Sequence, residues 1–392
     1  MGIIRKLRNR FFPPSWNTVN RYYEALEKEI KELHRLTEEL RTERELLIQD
    51  TNKQIDALKE QNEKILGLVH AQMDNDKPAN RIFFWENAYE KEAIKNNYGA
   101  VTEDPDFENK YLALIRGLDE ESIRTINRVL WKQSQYLSDT STRLDLFTYE
   151  EQEELRVIED TFKKEVVKIS ENLYAFGKYL LPIDHFEPVV FYYKYCLSEL
   201  KHLDRIKGKT IIDAGAFIGD TALIFSELEQ DRIISFEPVY ENYELCQRTI
   251  RLNGLTNVTL EQKALGDKQG FIDIYYAGEG STIYPRDEDN VFYKGKSSVP
   301  VITLDQYVHD NKLQVGLIKM DIEGSEPDCL KGARQIITEQ KPTMLICIYH
   351  NKHDFFEIKT MIESWDLGYG FKVRKPTVPN ATYETLLIAE PD

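Results

Sequence analysis

The sequence predicts an α/β protein in which a largely parallel seven-stranded sheet follows a mainly helical region and an N-terminal coiled coil. Three observations predict it. From Thr210 onward short apolar runs alternate with helical patterns, as in strand–helix–strand units. Residues 17–69 contain no proline and one glycine, Gly67, and their apolar residues recur at coiled-coil spacing. Between these regions, residues 81–200 read mainly as amphipathic helix. A chain of 392 residues has room for two or three such units and a sizeable core.

In order, the expected units are a basic amphipathic segment over 1–16, a coiled coil over 17–73, a mainly helical linker or cap over 81–200 and a catalytic domain over 201–392. Residues 1–16 set Ile3, Ile4, Leu7, Phe11, Phe12 and Trp16 among Arg5, Lys6, Arg8 and Arg10, and Pro13 and Pro14 stop the helix. That pattern suits an anionic membrane surface or a glycan-assembly partner; a terminus folded back on the next helix is the alternative. In the coiled coil, a/d positions counted from Leu26 include Val19, Tyr23, Ile30, Leu33, Leu40, Leu47, Leu58, Ile65 and Leu68. Thr37, Arg44, Thr51, Gln54 and Gln61 interrupt the seam, as register-setting polar positions do. A rod of about 80 Å with an apolar seam needs a partner, so self-association is expected, dimer before trimer.

The polar stretch 74–80, with Pro78, breaks the rod. Helical patterns cover Glu120–Tyr136 and Glu150–Ala175. Leu180–Phe191 is aromatic, contains Pro182 and Pro188, and reads as a pocket rim. The whole region is expected to cap the C-terminal edge of the sheet, where open α/β sheets bind ligands.

Composition narrows the function. Lys plus Arg number 51 against 67 Asp plus Glu, a net charge of −16, which argues against a nucleic-acid partner. Cys196, Cys246, Cys329 and Cys347 lack metal-site spacing and are expected to be reduced and buried. No apolar run approaches 18 residues and no secretion signal opens the chain. The expected location is the cytoplasm, with residues 1–16 able to touch the inner face of the membrane.

The chemistry is written most densely between Thr210 and Glu237. An apolar run ends in Asp213, Gly215 and Gly219 follow, a helix opens near Asp220, and a second run, Ile233–Phe236, ends in Glu237. Strand, glycine turn, helix, strand and acid make a nucleotide-binding unit. A dinucleotide fingerprint fails, because Ala214 and Ala216 replace its first two glycines. The acids Asp213 and Asp220 disfavour a pyrophosphate. A cationic, phosphate-free nucleoside fits better, and S-adenosylmethionine is the common one. Further strands are expected at Val258–Gln262, Gly270–Ala277, Val299–Thr303, Leu317–Ile322, Thr343–Tyr349, Phe371–Arg374 and Thr385–Ala389, with a helix over Ser325–Glu339.

These motifs support a resemblance. Asp213-Ala-Gly-Ala-Phe-Ile-Gly219, Phe236-Glu-Pro238, Ala264-Leu-Gly-Asp267, Thr303-Leu-Asp305 and Lys319-Met-Asp-Ile-Glu-Gly-Ser-Glu326 occur in that order. Over about residues 170–390 the chain resembles the FkbM-type family of S-adenosylmethionine-dependent methyltransferases. Pro342–Asp354 and Tyr383-Glu-Thr385 look like its bacterial surface-polysaccharide branch. The resemblance implies a Rossmann-like class I methyltransferase sheet and O-methylation of a sugar hydroxyl in a capsule or O-antigen glycan or its nucleotide- or lipid-linked precursor. It also implies that Asp213, Gly215, Ala216 and Gly219 line the methionine end, Glu237 holds the ribose, and Lys263 and Ala264 meet adenine. Phe217 departs from the smaller or polar residue often found there.

A sugar hydroxyl is a poor nucleophile, so a positioned base is expected. His350 is the first choice, at a strand terminus with a neutral-range pKa; Asp321 is second, and Glu323, Glu326 and Asp354 lie nearby in sequence. No metal is required by this reading, although Asp321, Glu323, His350 and Asp354 offer a ligand set for Mg²⁺ or Mn²⁺. Two alternatives stay open: a nicotinamide-dependent sugar dehydrogenase, and a coiled-coil scaffold with a non-catalytic S-adenosylmethionine-binding domain.

Overall fold

The computed structural model describes residues 27–38, 40–42, 53, 94–95, 97–99, 101–138, 146–276 and 295–391. The chain divides into two units, Met1–Arg81 and Ile82–Asp392. In the first, residues 27–38 and 40–42 are helical. Glu32 and Arg35 pair at 2.6 Å across one turn, and Ile30, Leu33, Leu36 and Leu40 are exposed. Apart from these residues and Lys53, the expected coiled coil lies outside the described residues, as do 1–16 and 74–80.

The second unit opens with helices α1 (Phe107–Ile115), α2 (Glu120–Ser138) and α3 (Tyr149–Val157). Thr148 starts α3 with a capping box: its hydroxyl accepts the Glu151 N–H while the Glu151 carboxylate accepts the Thr148 N–H. The helix expected over 150–175 ends early. Helical turns persist only to Glu165, after which β-branched Val166, Val167 and Ile169 favour extended chain. An antiparallel meander follows, made of β1 (Val167–Ser170), β2 (Leu173–Phe176) and β3 (Tyr179–Leu181), with Gly177 at φ +54° in the second turn.

The central sheet begins with β4 (Thr210–Ala214), helix α4 (Asp220–Phe225), β5 (Arg232–Phe236), α5 (Tyr240–Leu252) and β6 (Val258–Glu261). A small separate sheet, β7 (Ala264–Leu265), β8 (Gly270–Tyr276) and β9 (Gly295–Ile302), takes the runs expected at 270–277 and 299–303. The chain then forms α6 (Leu304–Asn311), β10 (Val315–Met320), α7 (Glu326–Gly332), α8 (Arg334–Gln340), β11 (Thr343–Cys347), α9 (Lys352–Glu363), β12 (Tyr369–Arg374) and β13 (Leu386–Pro391). The single helix expected over 325–339 is therefore two. A Cβ at Gly332 would lie 2.0 Å from the Gly266 carbonyl oxygen, so the backbones touch where the helix breaks at Ala333.

Seven strands make the main sheet, in the order β12-β13-β11-β10-β4-β5-β6. All neighbours are parallel except β13, which runs antiparallel to β11 and β12. Strand order reverses between β4 and β10, and a crevice opens above that switch point. Both faces are covered, so the central strands are apolar throughout. Ile212, Ile234, Ile318 and Met344 join Leu114, Ile126 and Val129 in one core. Ile211, Ile233, Leu317 and Leu345 join Phe162, Leu181, Phe191 and Phe225 in the other. The region expected as one cap thus splits, 98–130 packing on one face and 158–206 on the other. No helix among the described residues is long and apolar enough to cross a membrane.

Candidate active site

At the end of β4 the chain turns on Gly215. Its φ is +79°, and a Cβ there would sit 1.8 Å from the Asp321 carbonyl oxygen, a space only glycine leaves. The Gly215 and Ala216 N–H groups both donate to the Phe236 carbonyl, at 3.1 and 3.0 Å, tying this turn to β5. The Asp321 N–H donates to the Ala214 carbonyl at 3.1 Å, tying it to β10. Sheet register puts Asp213 beside both Ser235 and Lys319. One Asp213 oxygen accepts from the Thr221 hydroxyl at 2.8 Å, and the other lies 3.4 Å from Lys319 Nζ. Lys319, fully buried, donates to the Gly215 carbonyl at 2.6 Å and stays charged. Desolvation alone would discharge it; Asp213 and Asp321 hold its pKa above the usual lysine value.

These turns enclose a cleft of ≈ 350 Å³, the size of a small-ligand site. On the β5 side its wall holds Phe236, Glu237, Asn242, Lys263, Ala264 and Leu265. The Glu237 carboxylate accepts the Phe217 N–H on one oxygen and the Val239 N–H on the other, both at 2.9 Å. The Asn242 side chain is a third donor, so of the roughly four lone-pair sites of the carboxylate one is left for a further donor. Burial raises the Glu237 pKa to about 7 against the pull of the two amides and Asn242.

On the far side of β4, around the ends of β10, β11 and β13, the wall holds Tyr195, Asp321, Glu323, Tyr349 and Glu384, with Glu187 nearby. Asp321 is immobilised there. Tyr349 donates to one of its oxygens at 3.0 Å and Tyr195 to the other at 3.2 Å. Burial would raise its pKa, but His350, Lys319 and Tyr349 hold it well below the usual carboxylate range. Withdrawal from bulk water, with Asp321 and Glu326 close by, raises Glu323 to about 8. Four residues on this cleft, Tyr195, Phe217, Glu323 and Glu384, have positive φ without being glycine. Such backbone is strained and persists where packing over-determines it.

Of the residues expected to bind a nucleoside, Gly215, Glu237, Lys263 and Ala264 line the cleft. Asp213, Ala216 and Gly219 do not. Asp213 is wholly buried and serves Thr221, Ser235 and Lys319. Ala216 is sealed beneath the turn. Gly219 lets α4 approach α5, since a Cβ would meet Cys246 Sγ at 2.9 Å.

His350 requires a larger correction. It lies behind the wall, its Nε2 3.3 Å from Asp321 and 3.7 Å from Glu323, its Nδ1 3.1 Å from Glu326. Burial opposes a charge on this ring, but Glu326, Asp321 and Glu323 together hold it protonated well above the ordinary histidine range. His350 does not line the cleft, whereas Asp321 and Glu323 do. Glu326 in turn accepts the Ile322 and Gly324 N–H groups and fixes the 321–326 loop. Asp354, buried and bonded to Asn351, also stands off the cleft. Asp321, Glu326 and His350 bring one ligand atom each within 4.8 Å of one another. This group shares Asp321 and His350 with the expected ligand set and has Glu326 in place of Glu323 and Asp354. Glu384, Tyr195, Tyr349 and Lys319 are cleft residues to which the sequence assigned no role. Glu384, Lys319 and Tyr349 stood within quoted motifs, and Tyr195 follows the aromatic stretch 180–191.

Residues 213–373 match the methyltransferase FkbM domain. That span runs from the end of β4 to β12 and includes both walls of the cleft except 185–195 and Glu384. Among curated relatives, Methyltransferase 1 of Beauveria bassiana (strain ARSEF 2860) is 26% identical over 186 residues, 42% of this chain and 74% of its own length. Methyltransferase sdnD of Sordaria araneosa is 28% identical over 153 residues, 31% of this chain and 59% of its own. Among solved structures, a methyltransferase FkbM from Methylobacillus flagellatus KT is 22% identical, with a TM-score of 0.46, covering 72% of this chain and 59% of its own. The likeness is therefore to methyltransferases, and the domain match covers residues 213–373.

The cleft fits the methyl donor such enzymes use. Glu237 keeps a lone pair for a ribose hydroxyl beside the Asn242 side chain, and Ala264, Leu265, Ile272 and Ile274 give an apolar slot for a base. Lys319 holds the Gly215 carbonyl where a ligand's amino group finds an acceptor.

Proposed function

We propose that this protein is an S-adenosylmethionine-dependent O-methyltransferase acting on a sugar hydroxyl of a bacterial surface polysaccharide or its precursor. The observation that carries the reading is Glu237. A buried carboxylate at the end of the second sheet strand, held by two backbone amides and the Asn242 side chain, lines a cleft and keeps a lone pair for a ligand hydroxyl. Gly215, Glu237, Asn242, Ala264 and Leu265 would hold the nucleoside; once bound, it supplies an electrophilic methyl group. The chain's own part is orientation, bringing an acceptor oxygen within about 3 Å of that carbon. Asp321, fixed as an anion by Tyr195 and Tyr349, favours a cationic ligand beside it.

Calorimetry on the full chain tests this. S-adenosylmethionine is expected to bind, NADH is not, and Glu237→Ala is expected to weaken binding at least tenfold. Absence of binding by the intact protein overturns the reading. Self-association through residues 17–73 belongs to the same proposal, supported by the exposed Ile30, Leu33 and Leu40 at heptad spacing. Sedimentation of the full chain against Leu33→Asp is expected to show a dimer converted to monomer. The N-terminal basic segment would place the enzyme at its substrate, and flotation with anionic vesicles reads that directly.

A further inference from the structure

Glu237 and the acid-rich wall stand on opposite sides of β4, since sheet order places β10, β11 and β13 to one side and β5 to the other. With strands ~4.8 Å apart, the cleft extends well beyond a nucleoside held at β5. The residue at its far side is Glu384, which leads into β13. Its backbone sits at φ +66°. Its neighbours hold it there: Tyr383 packs edge-on against Tyr349 at 5.6 Å, and the Thr385 hydroxyl donates to the Thr382 carbonyl at 2.7 Å. The Ile348 N–H donates to the Thr385 carbonyl at 3.0 Å, pinning this turn to the end of β11.

The other polar groups at that side are spoken for. Asp321 already accepts both tyrosine hydroxyls, and Glu323 faces His350 at 3.7 Å. Glu384 makes no hydrogen bond to a described residue yet lines the cleft. The charges around it are Asp321 and Glu187, with Lys375 and His350 in opposition, and burial raises its pKa before any of them. Above its raised pKa of about 8 Glu384 is a carboxylate that accepts a hydroxyl well, and a phosphate or a second carboxylate brought beside Glu187, Asp321 and Glu384 meets like charge.

We propose that Glu384 receives the acceptor's hydroxyl, and that the acceptor is an uncharged polyhydroxylated sugar at that position rather than one bearing phosphate or carboxylate next to it. This rests on the methyltransferase reading above, and the experiment separates the two. The full chain is first saturated with S-adenosylhomocysteine, followed by calorimetry; failure at that step removes the methyltransferase reading itself. Saturation-transfer NMR at about pH 9, where Glu384 is ionised, then compares neutral methyl hexopyranosides with hexose 6-phosphates and hexuronates. Neutral glycosides are expected to bind and the anionic sugars not. Glu384→Gln is expected to weaken the neutral sugars about tenfold, the scale of one hydrogen bond to a charged group, while S-adenosylhomocysteine affinity stays within about twofold. Should that variant fail to fold, Glu187→Gln at the exposed mouth is expected to relax the exclusion of hexose 6-phosphates. Anionic sugars binding as well as neutral ones, neutral binding indifferent to Glu384→Gln, or no sugar of either class binding to the saturated protein would each overturn the proposal.

Discussion

Two groups of residues share the same left-handed backbone and use it differently. Lys312 and Lys341 end α6 and α8, donate their N–H groups to His309 and Ile337, and turn the chain into β10 and β11. Their side chains are exposed at the N-terminal edge of the sheet. Tyr195, Phe217, Glu323 and Glu384 adopt it on the cleft. At the helix ends the conformation matters and the side chain does not, so glycine would do better. At the cleft the side chain is the reason the strain is kept.

Substitutions can break that contrast or sharpen it. The largest effect is expected from Gly215→Ala, where the new methyl meets backbone rather than a movable side chain. A stability loss on the order of 3 kcal/mol and complete loss of donor binding should appear in denaturant melts and calorimetry. Glu237→Ala comes next: it orphans the Phe217 and Val239 amides, costing about 1–3 kcal/mol, and weakens the donor as stated above. The sign of its pH dependence follows from the carboxylate. Donor affinity should be full above about pH 7 and fall as Glu237 is protonated below it; Glu237→Gln should flatten that profile. Glu323→Gly should separate stability from function, raising stability by up to about 1 kcal/mol while weakening S-adenosylmethionine more than the uncharged thioether product at pH above about 8, where Glu323 is ionised. The smallest effect belongs to Lys341→Gly, with a gain of about 0.5–1 kcal/mol in thermal melts and unchanged donor binding. A loss of binding there would erase the distinction.

The β5 side of the cleft was legible in the sequence because it is local. Gly215 and Glu237 lie within one strand–turn–helix–strand unit, where spacing predicts position. Asp213 was misjudged for the opposite reason: its partner Lys319 lies more than a hundred residues away and meets it only through sheet register. His350 sits at a strand terminus as its spacing predicts, but three carboxylates converge on it from a loop whose fold the sequence does not announce. Glu384 reaches the cleft only because β13 runs back against β11, a long-range event with no local signature. The 150–175 helix was overextended because charged residues continue past Glu165, while β-branched residues had already changed the backbone preference.

The bare contact between Gly215 and the Asp321 carbonyl has a mechanical result. With no side chain to act as a cushion, a shift of a few tenths of an ångström on the nucleoside side must push the loop that carries Glu323. Occupancy of one half of the crevice would then set the poise of the other directly through main chain, and a cavity-filling change at either turn would stiffen both together.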